Sequence, residues 1–494
     1  MPRPNILLIT TDEQNARVAG YAGDPTVRTP NIDRLAREGM VFNRAYTTQP
    51  LCTPARASVW TGQHVTRHGV NGNIFTGRKE GVRAGTVTFP NLLRRAGYET
   101  ALIGKRHLGF ENEADIALDY QDLAESKFDF NPAHRTDHYR HWLAEQGHPK
   151  EEIETWVRED MHEEYVRNKG AIRHPLDEDL YIDSYIGRRS VEYLRDRGDK
   201  PFFLWTSFCA PHHPYDPPAR YDEMYDPDDV VLPERPEDEL DGKPLRHRIW
   251  AVRCARNIPL PHGWGAPDDE VRAMMDNPDL CPDTAEIAGM LPEDVQRLMI
   301  ARYYATVTLD DDWIGRILST LEETGLLENT IVIFASDHGD HLGEHYLWLK
   351  GATMYESLVR VPFVVRMPDG LGAGERCDEL VSLFDLAPTF VHWADAEQLY
   401  TPEGHEFHEE LDGRRFDSLL ESPEEPIHDE LFIGTRALVT RDWKYVWNGD
   451  ALPELYNLQD DPKELNNLTG RREYADVERD LRERLFTRFD ITPG

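Results

Sequence analysis

Short apolar runs alternate with amphipathic segments through most of the chain. The apolar runs have the length and composition of buried strands. The amphipathic segments have helical spacing, and the first begins with Thr29 and Pro30 and closes at Gly39, as a punctuated helix does. Strands separated by helices predict an α/β fold, with a large, mostly parallel central sheet sandwiched by helices. The predicted strands are residues 5–10, 100–103, 202–208, 330–335 and 362–365, and the predicted helices are residues 29–39, 89–96, 180–194 and 292–321.

The pattern changes near residue 400. Short strands are predicted at residues 431–434, 437–440 and 443–447, and an amphipathic helix is predicted at residues 474–489. We therefore expect a larger α/β domain over residues 1–400 and a smaller antiparallel α+β subdomain over residues 401–494.

Two polar stretches, residues 111–179 and 216–283, interrupt the alternation in the larger domain. Loops of this length inside a compact domain are usually functional or disordered. We expect insertions over the sheet edge that form a substrate lid or a contact in a homo-oligomer.

The charge balance of the chain excludes two classes of partner. The 494 residues include 90 acidic and 55 basic side chains, for a formal net charge of −35. Such a surface repels nucleic acid and anionic membranes, so neither is expected to bind. It also repels an anionic substrate at long range. Any anion site must therefore be locally basic or contain a metal.

Cysteine usage and the N-terminal residues bear on location. The chain has five widely spaced cysteines and no CxxC pair, which predicts no disulfide framework and fits a reducing compartment. The apolar run at residues 5–10 is too short for a signal peptide, and no apolar stretch has the length of a transmembrane helix. A cytoplasmic location is expected.

Chemically active side chains follow four of the predicted strands directly. In a parallel sheet the carboxyl ends of the strands share one edge, where ligands bind. Paired acidic side chains at such an edge favour a divalent cation between them. Taken alone, each pattern also fits a solvated loop, a helix-start acidic pair or a hydrogen-bonding histidine. The side chains are Asp12, Glu13, Lys105, His107, His212, Asp337 and His338, and Lys350 lies shortly after the last pair.

Residues 51–62 read LCTPARASVWTG. Pro54 suits the first turn of a helix, so Cys52 is expected at a helix N-terminus, where the helix dipole favours an anion. Arg56 lies one turn along on the same face. The residues alone leave two interpretations, a buried structural cysteine or an activated thiolate. The spacing from Cys52 to Arg56 is too short for a phosphatase-type Cys-x5-Arg loop.

The Cys-x-Pro-x-Arg motif with the following Thr-Gly resembles the signature of type I, formylglycine-dependent sulfatases of the alkaline phosphatase superfamily. The order of the other motifs resembles that family over most of the chain. Asp337-His338 with Lys350 close behind is similar to choline-sulfatase and phosphonate monoester hydrolase relatives. The further matching segments are residues 29–33, 104–109, 211–214, 336–339, 454–458 and 461–462.

The resemblance implies an alkaline phosphatase-like fold and a modified nucleophile. A formylglycine-generating enzyme would convert Cys52 to an aldehyde, whose hydrate attacks the substrate. One divalent cation is implied, usually Ca²⁺, while a histidine ligand also admits Mn²⁺ or Mg²⁺. Whether Glu13 or Gln14 reaches the cation is open. The implied ligands are Asp12, Glu13, the modified Cys52, Asp337 and His338.

The resemblance also implies roles for the remaining side chains. Arg56 and the cation favour the ionised hydroxyl that attacks sulfur. His212, with Lys350, protonates the leaving alcohol, and Lys105 and Lys350 offset charge on the sulfuryl oxygens. His107 then deprotonates the second hydroxyl, which expels sulfate and restores the aldehyde. The substrate-binding residues would be Asn73, Lys105, His212 and Lys350.

The resemblance leaves three possible functions. The favoured function is a sulfatase for a small-molecule or saccharide sulfate ester, and the alternative is a phosphonate monoester or phosphodiester hydrolase on the same scaffold. Lys105 and His107 favour the sulfatase, since the phosphonate hydrolases that the chain resembles carry uncharged groups at these places. The third is a binding protein that has lost activity, which the intact Cys52 motif argues against.

Overall fold

An eight-stranded sheet forms the centre of the molecule. The computed structural model describes residues 3–73, 81–83, 85–108, 118–125, 127, 137–156, 160–256, 269–351, 353–399, 411–449 and 451–492. The strands are β1 (Asn5–Asp12), β2 (Met40–Phe42), β3 (Ala45–Tyr46), β4 (Glu99–Gly104), β5 (Tyr120–Leu123), β6 (Phe202–Pro211), β7 (Thr330–Ser336), β8 (Arg360–Val361), β9 (Phe363–Arg366), β10 (Arg376–Cys377), β11 (Val381–Ser382), β12 (Glu430–Ile433), β13 (Ala437–Thr440), β14 (Trp443–Val446) and β15 (Glu454–Asn457).

The central sheet has the order β10-β2-β9-β7-β1-β6-β4-β5. Within the described strands of this sheet, β9 alone runs against the others, pairing antiparallel with β2 and β7. The pairs that β1 forms with β6 and β7, and those that β4 forms with β5 and β6, are parallel. Strands β11, β3 and β8 form a small separate sheet. The predicted mostly parallel sheet is confirmed.

Helices cover both faces of the sheet, because alternate side chains of each strand point to opposite faces. Leu7 and Ile9 pack in one core with α1, α8 and α13, and Ile6 and Leu8 pack in the other with α2, α4 and α15. The helices are α1 (Pro30–Glu38), α2 (Cys52–Thr61), α3 (Val65–His68), α4 (Phe89–Arg95), α5 (His138–Glu145), α6 (Lys150–Thr155), α7 (His162–Arg167), α8 (Ile182–Asp196), α9 (Ala219–Asp222), α10 (Leu245–Arg256), α11 (Asp269–Asp276), α12 (Thr284–Ala288), α13 (Glu293–Glu323), α14 (Glu356–Val359), α15 (Leu386–Trp393) and α16 (Ala475–Phe489).

Strand β1 shows why the sheet is buried on both sides. All eight of its residues are buried, which is typical of a parallel strand covered by helices. The strand ends at Asp12, which therefore lies at the centre of the carboxyl edge, between the ends of β6 and β7. The apolar run therefore determines where the acidic side chains lie.

The two polar stretches contain regular elements. Strand β5 adds an edge strand to the sheet from within residues 111–179, next to α5, α6 and α7. Its sequence, YQDL, carries two polar residues and no apolar alternation. The described part of residues 216–283 holds the short helices α9, α10 and α11. No helix in the described ranges is both long and apolar enough to cross a bilayer.

The C-terminal strands form an antiparallel sheet in the order β12-β13-β14-β15, with α16 packed against it. This confirms the predicted antiparallel sheet and helix, and adds β15. A buried ion pair network joins this sheet to the rest of the chain. Lys444 of β14 lies 2.8 Å from Glu356 Oε1 in α14 and 2.6 Å from Glu464 Oε1. The main-chain N–H of Glu356 also donates to Glu464 at 2.6 Å.

Candidate active site

The candidate site lies at the carboxyl edge of the sheet, where the N-terminus of α2 meets the ends of β1, β4, β6 and β7. Cys52 is the first residue of α2 and is fully buried. The main-chain N–H of Thr53 donates to Asn73 Oδ1 at 3.1 Å, which satisfies one of the free donors at the helix start. Asn73 therefore holds the beginning of α2 in place beside the site.

Cys52 is surrounded by charged side chains. Its Sγ lies 3.2 Å from Lys350 Nζ, 3.3 Å from His338 Nε2 and 3.5 Å from Asp12 Oδ1. The side chain of His107 also forms a hydrogen bond with the thiol. Burial raises the pKa of Cys52, but the nearby positive charges outweigh burial and hold this pKa well below its usual range. The position is built to hold a negatively charged group.

The acidic side of the site has the chemistry of a cation site. One ligand atom from each of Asp12, Cys52, Asp337 and His338 lies within 4.8 Å of the others. Burial raises the pKa of Glu13 to about 8, with the neighbouring Asp340 adding to the rise and Lys350 opposing it. Glu13 Oε1 is buried and has no hydrogen-bond partner in the described structure. Buried carboxylates with an unpartnered oxygen fit a hard divalent cation.

The basic side of the site is provided by two lysines. Lys105 forms a short ion pair with Asp12, and Lys350 Nζ donates to Glu13 Oε2 at 2.8 Å. Burial lowers the pKa of each lysine, but the negative charges of Cys52 and of these carboxylates outweigh burial and raise the pKa above its usual value, so both lysines stay protonated. The two lysines therefore supply local positive charge within a strongly negative protein, as an anion site requires.

Arg56 links the elements around the site. Its Nε donates to Asp337 Oδ2 at 2.9 Å, and its Nη1 donates to the Lys105 carbonyl at 2.8 Å and to Ser207 Oγ at 2.7 Å. The guanidinium thus joins α2 to the ends of β4, β6 and β7. Ser207 was not predicted, since a serine inside a buried strand gives no sequence signal of its own.

The three histidines have different environments. His212 Nε2 lies 3.4 Å from Glu13 Oε2, and loss of solvation together with the charge of Lys350 lowers the pKa of His212 to about 4. Burial lowers the pKa of His338, but Asp337 reverses this and raises it to about 9. The main-chain N–H of His107, which has φ +44°, donates to Glu125 Oε2 at 2.8 Å.

The structure brings the predicted site residues together. It also shows that Glu13 and Gln14 have different hydrogen-bond partners. The Gln14 carboxamide accepts from Thr11 Oγ1 at 2.9 Å and donates to the Val18 carbonyl at 3.0 Å. The Gln14 carboxamide is therefore bonded to groups away from Cys52, whereas the Glu13 carboxyl group lies beside Lys350 and His212. The predicted residues gathered at this edge are Asp12, Glu13, Cys52, Arg56, Asn73, Lys105, His107, His212, Asp337, His338 and Lys350.

Fold and site together define an ester hydrolase of the alkaline phosphatase superfamily. The chain belongs to the sulfatase family: the family model described as Sulfatase matches residues 4–396. A second model, described as N-sulphoglucosamine sulphohydrolase, C-terminal, matches residues 343–489. Membership and sulfatase-named relatives make the chain a sulfuric ester hydrolase, as the Cys52 motif predicted.

Relatives match over nearly the full chain. The chain is 32% identical to the "Uncharacterized sulfatase YidJ" of Escherichia coli, over 99% of this chain and 88% of that protein. It is 31% identical to an arylsulfatase of Clostridium perfringens, over 96% and 92%. Among solved structures, the phosphonate monoester hydrolase of Agrobacterium radiobacter has a TM-score of 0.74 at 22% identity, over 98% of this chain and 95% of that chain. The structural likeness shows the shared fold.

Proposed function

We propose that the chain hydrolyses a sulfate monoester to an alcohol and inorganic sulfate, with a formylglycine hydrate at position 52 as the nucleophile. The observation that carries this proposal is the placement of Cys52, buried at the start of α2 and within 3.5 Å of Lys350, His338 and Asp12. A formylglycine-generating enzyme would oxidise the thiol to an aldehyde, with molecular oxygen as the oxidant and release of the sulfur, and water would then add to give two hydroxyls on one carbon.

The acidic residues would hold one divalent cation. Asp12, Glu13, Asp337 and His338, together with residue 52, form the donor set. Oxygen donors favour Ca²⁺, and the histidine nitrogen also allows Mn²⁺ or Mg²⁺. When bound, the cation supplies positive charge that favours an ionised hydroxyl and offsets charge on the sulfuryl oxygens.

The chain's own residues would carry the proton transfers. One hydroxyl oxygen of residue 52 forms a bond to sulfur as the bond from sulfur to the alcohol oxygen breaks. His212 gives its proton to that oxygen, because the negative substrate favours the protonated imidazole, and Lys350 assists. Lys105 and Lys350 bind the sulfuryl oxygens. His107, whose side chain forms a hydrogen bond with residue 52, removes the proton of the second hydroxyl. Sulfate then leaves and the aldehyde forms again.

Mass spectrometry of the peptide that contains Cys52 tests the nucleophile. In protein produced together with the maturation enzyme, we expect the mass decrease of a thiol replaced by an aldehyde, and reaction of the peptide with a hydrazide probe. Peptides containing Cys209 and Cys377, which are also buried, serve as internal controls and should keep their thiols. A fully unmodified Cys52 in active enzyme would overturn the formylglycine mechanism.

Removal of divalent cations should abolish activity and lower stability together. A ligand present at about 100 times its Kd adds about 2.7 kcal/mol to the free energy of unfolding. We expect Ca²⁺ to raise the Tm of chelated protein, and Asp12→Asn to remove this shift. Asp412→Asn, which alters a largely buried carboxylate paired with Arg67 and Arg488, should keep this shift. An unchanged Tm and an unchanged turnover after chelation would exclude the cation site.

Phosphonate monoester or phosphodiester hydrolysis remains the second candidate, because the solved structure quoted above is named as a phosphonate monoester hydrolase. Lys105→Met and His107→Ala should lower kcat/KM about tenfold more for an aryl sulfate than for an aryl phosphonate if these side chains serve sulfate. Lys463→Met, at an exposed pair with Glu234, should change neither. Equal losses on both substrates would contradict the assignment of Lys105 and His107.

A further inference from the structure

Two loops carry side chains to Cys52. The His212 loop consists of residues 211–216 and follows β6. The Lys350 loop consists of residues 340–350 and follows the Asp337-His338 turn. The proposed chemistry needs His212 and Lys350 at fixed positions on the same reacting group, although their loops come from distant parts of the chain.

The Lys350 loop has a backbone conformation that its sequence does not favour. Leu342, His345, Tyr346 and Leu349 all have φ between +47° and +60°. Side chains other than glycine rarely adopt this region, and such residues persist where surrounding contacts hold them. Leu349 directly precedes Lys350. The contacts that fix the backbone of Leu349 therefore also fix the direction in which the Lys350 side chain extends.

Asp340 provides that contact. Its Oδ1 accepts the main-chain N–H of Leu342 at 2.9 Å and that of Leu349 at 3.0 Å, which closes the loop. Its Oδ2 accepts the hydroxyl of Tyr215, in the His212 loop, at 2.5 Å. Asp340 and Tyr215 are fully buried, so water does not compete for these bonds.

The bonding requirements explain why a carboxylate occupies this position. Three donors converge on Asp340 from two sides, and a carboxylate accepts on both oxygens, whereas an asparagine accepts on one. The backbone carbonyl of Asp340 also accepts from Asn15 Nδ2 at 2.8 Å, which ties the same residue to the segment after β1.

We propose that Asp340 is a positioning residue that fixes the His212 loop to the Lys350 loop through Tyr215, and so sets the two side chains relative to residue 52. This inference rests on the proposed function for the roles of His212 and Lys350. The connection itself is a property of the fold and can be measured without substrate.

The variant Tyr215→Phe removes one hydroxyl and leaves both loops otherwise intact. Tyr304→Phe is the matched control, because Tyr304 also gives its hydroxyl to a carboxylate, that of Asp24, at 2.7 Å and away from the site. We expect Tyr215→Phe to lower kcat between about tenfold and about 100-fold, with KM nearly unchanged, since small misplacements of catalytic groups cost this much. The loss should be larger for an alkyl sulfate than for 4-nitrophenyl sulfate, whose leaving group needs no proton from His212.

Hydrogen exchange tests the connection independently of activity. In Tyr215→Phe, the main-chain amides of residues 340–350 and those of residues 211–216 should both exchange faster than in Tyr304→Phe. Asp340→Asn should have the same effect, and the double variant should be little worse than either single one. Unchanged exchange of residues 340–350 in Tyr215→Phe would overturn the proposal. If the parent protein hydrolyses no sulfate ester, but residues 340–350 still exchange faster in Tyr215→Phe, the connection is supported and the proposed function is rejected.

Discussion

Replacing Cys52 with alanine lowers the turnover of an aryl sulfate by at least about 10⁴-fold, because no other side chain carries the proposed nucleophile. Cys52→Ser should also stop turnover, for a different reason. A serine hydroxyl can attack sulfur and expel the alcohol, but it lacks the second hydroxyl whose deprotonation releases sulfate. The variant should therefore accumulate a sulfated peptide. Stopped assays followed by mass spectrometry of that peptide measure both effects.

Cys377→Ala is the control for this prediction. Cys377 is as fully buried as Cys52 but lies on β10, at the far edge of the sheet. Its replacement should alter stability while turnover per folded molecule stays close to that of the parent protein. If Cys52→Ala retained more than about one hundredth of the parental kcat, residue 52 would not be the nucleophile.

Replacing Arg56 with methionine should destabilise the protein by about 3–5 kcal/mol, since it leaves the buried Asp337 carboxylate without its partner. The guanidinium makes hydrogen bonds with Asp337, Ser207 and the Lys105 carbonyl. A lysine could not replace them, because its single ammonium lacks the planar fork of donors. Urea unfolding measures the loss, and activity at low temperature should fall with it.

The surface pair formed by Arg220 provides the contrast. Arg220 is about half exposed and lies 3.1 Å from Glu178, and such exposed pairs contribute roughly 0–1 kcal/mol. Arg220→Met should therefore change the free energy of unfolding very little. Adding Asp337→Asn to Arg56→Met should recover part of the stability but no activity. Equal losses for Arg56→Met and Arg220→Met would show that Arg56 does not organise the site.

Much of the site could be predicted because its residues follow apolar runs. Asp12 is the last residue of β1 and Asp337 directly follows β7. Because these strands pair in parallel, both carboxylates must reach the same edge. Cys52 and Arg56 are one helical turn apart in α2, which is a local relation. Where the position of a site residue depends on a strand end or on helix spacing, the sequence is sufficient to predict it.

The remaining features depend on contacts between distant segments. Strand β5 is an edge strand whose polar residues show no alternation, and its partner β4 alone determines its pairing. Asp340 stands in the same motif as Asp337, yet its partner Tyr215 lies 125 residues away. The choice between Glu13 and Gln14 also depends on a distant contact, because Glu13 binds Lys350, 337 residues away, whereas Gln14 binds its neighbours Thr11 and Val18.

The network around Lys444 has a consequence for dissecting this protein. The boundary near residue 400 separates two sheets in the sequence, but Glu356, a few residues after Lys350, finds its cationic partner across that boundary. A fragment that ends at residue 400 would lose Lys444 and Glu464, and would leave the buried Glu356 carboxylate with Arg360, at 3.7 Å, in place of the closer Lys444. The C-terminal sheet is thus part of the scaffold of the reaction site, and the two sheets should be expressed together as one fragment.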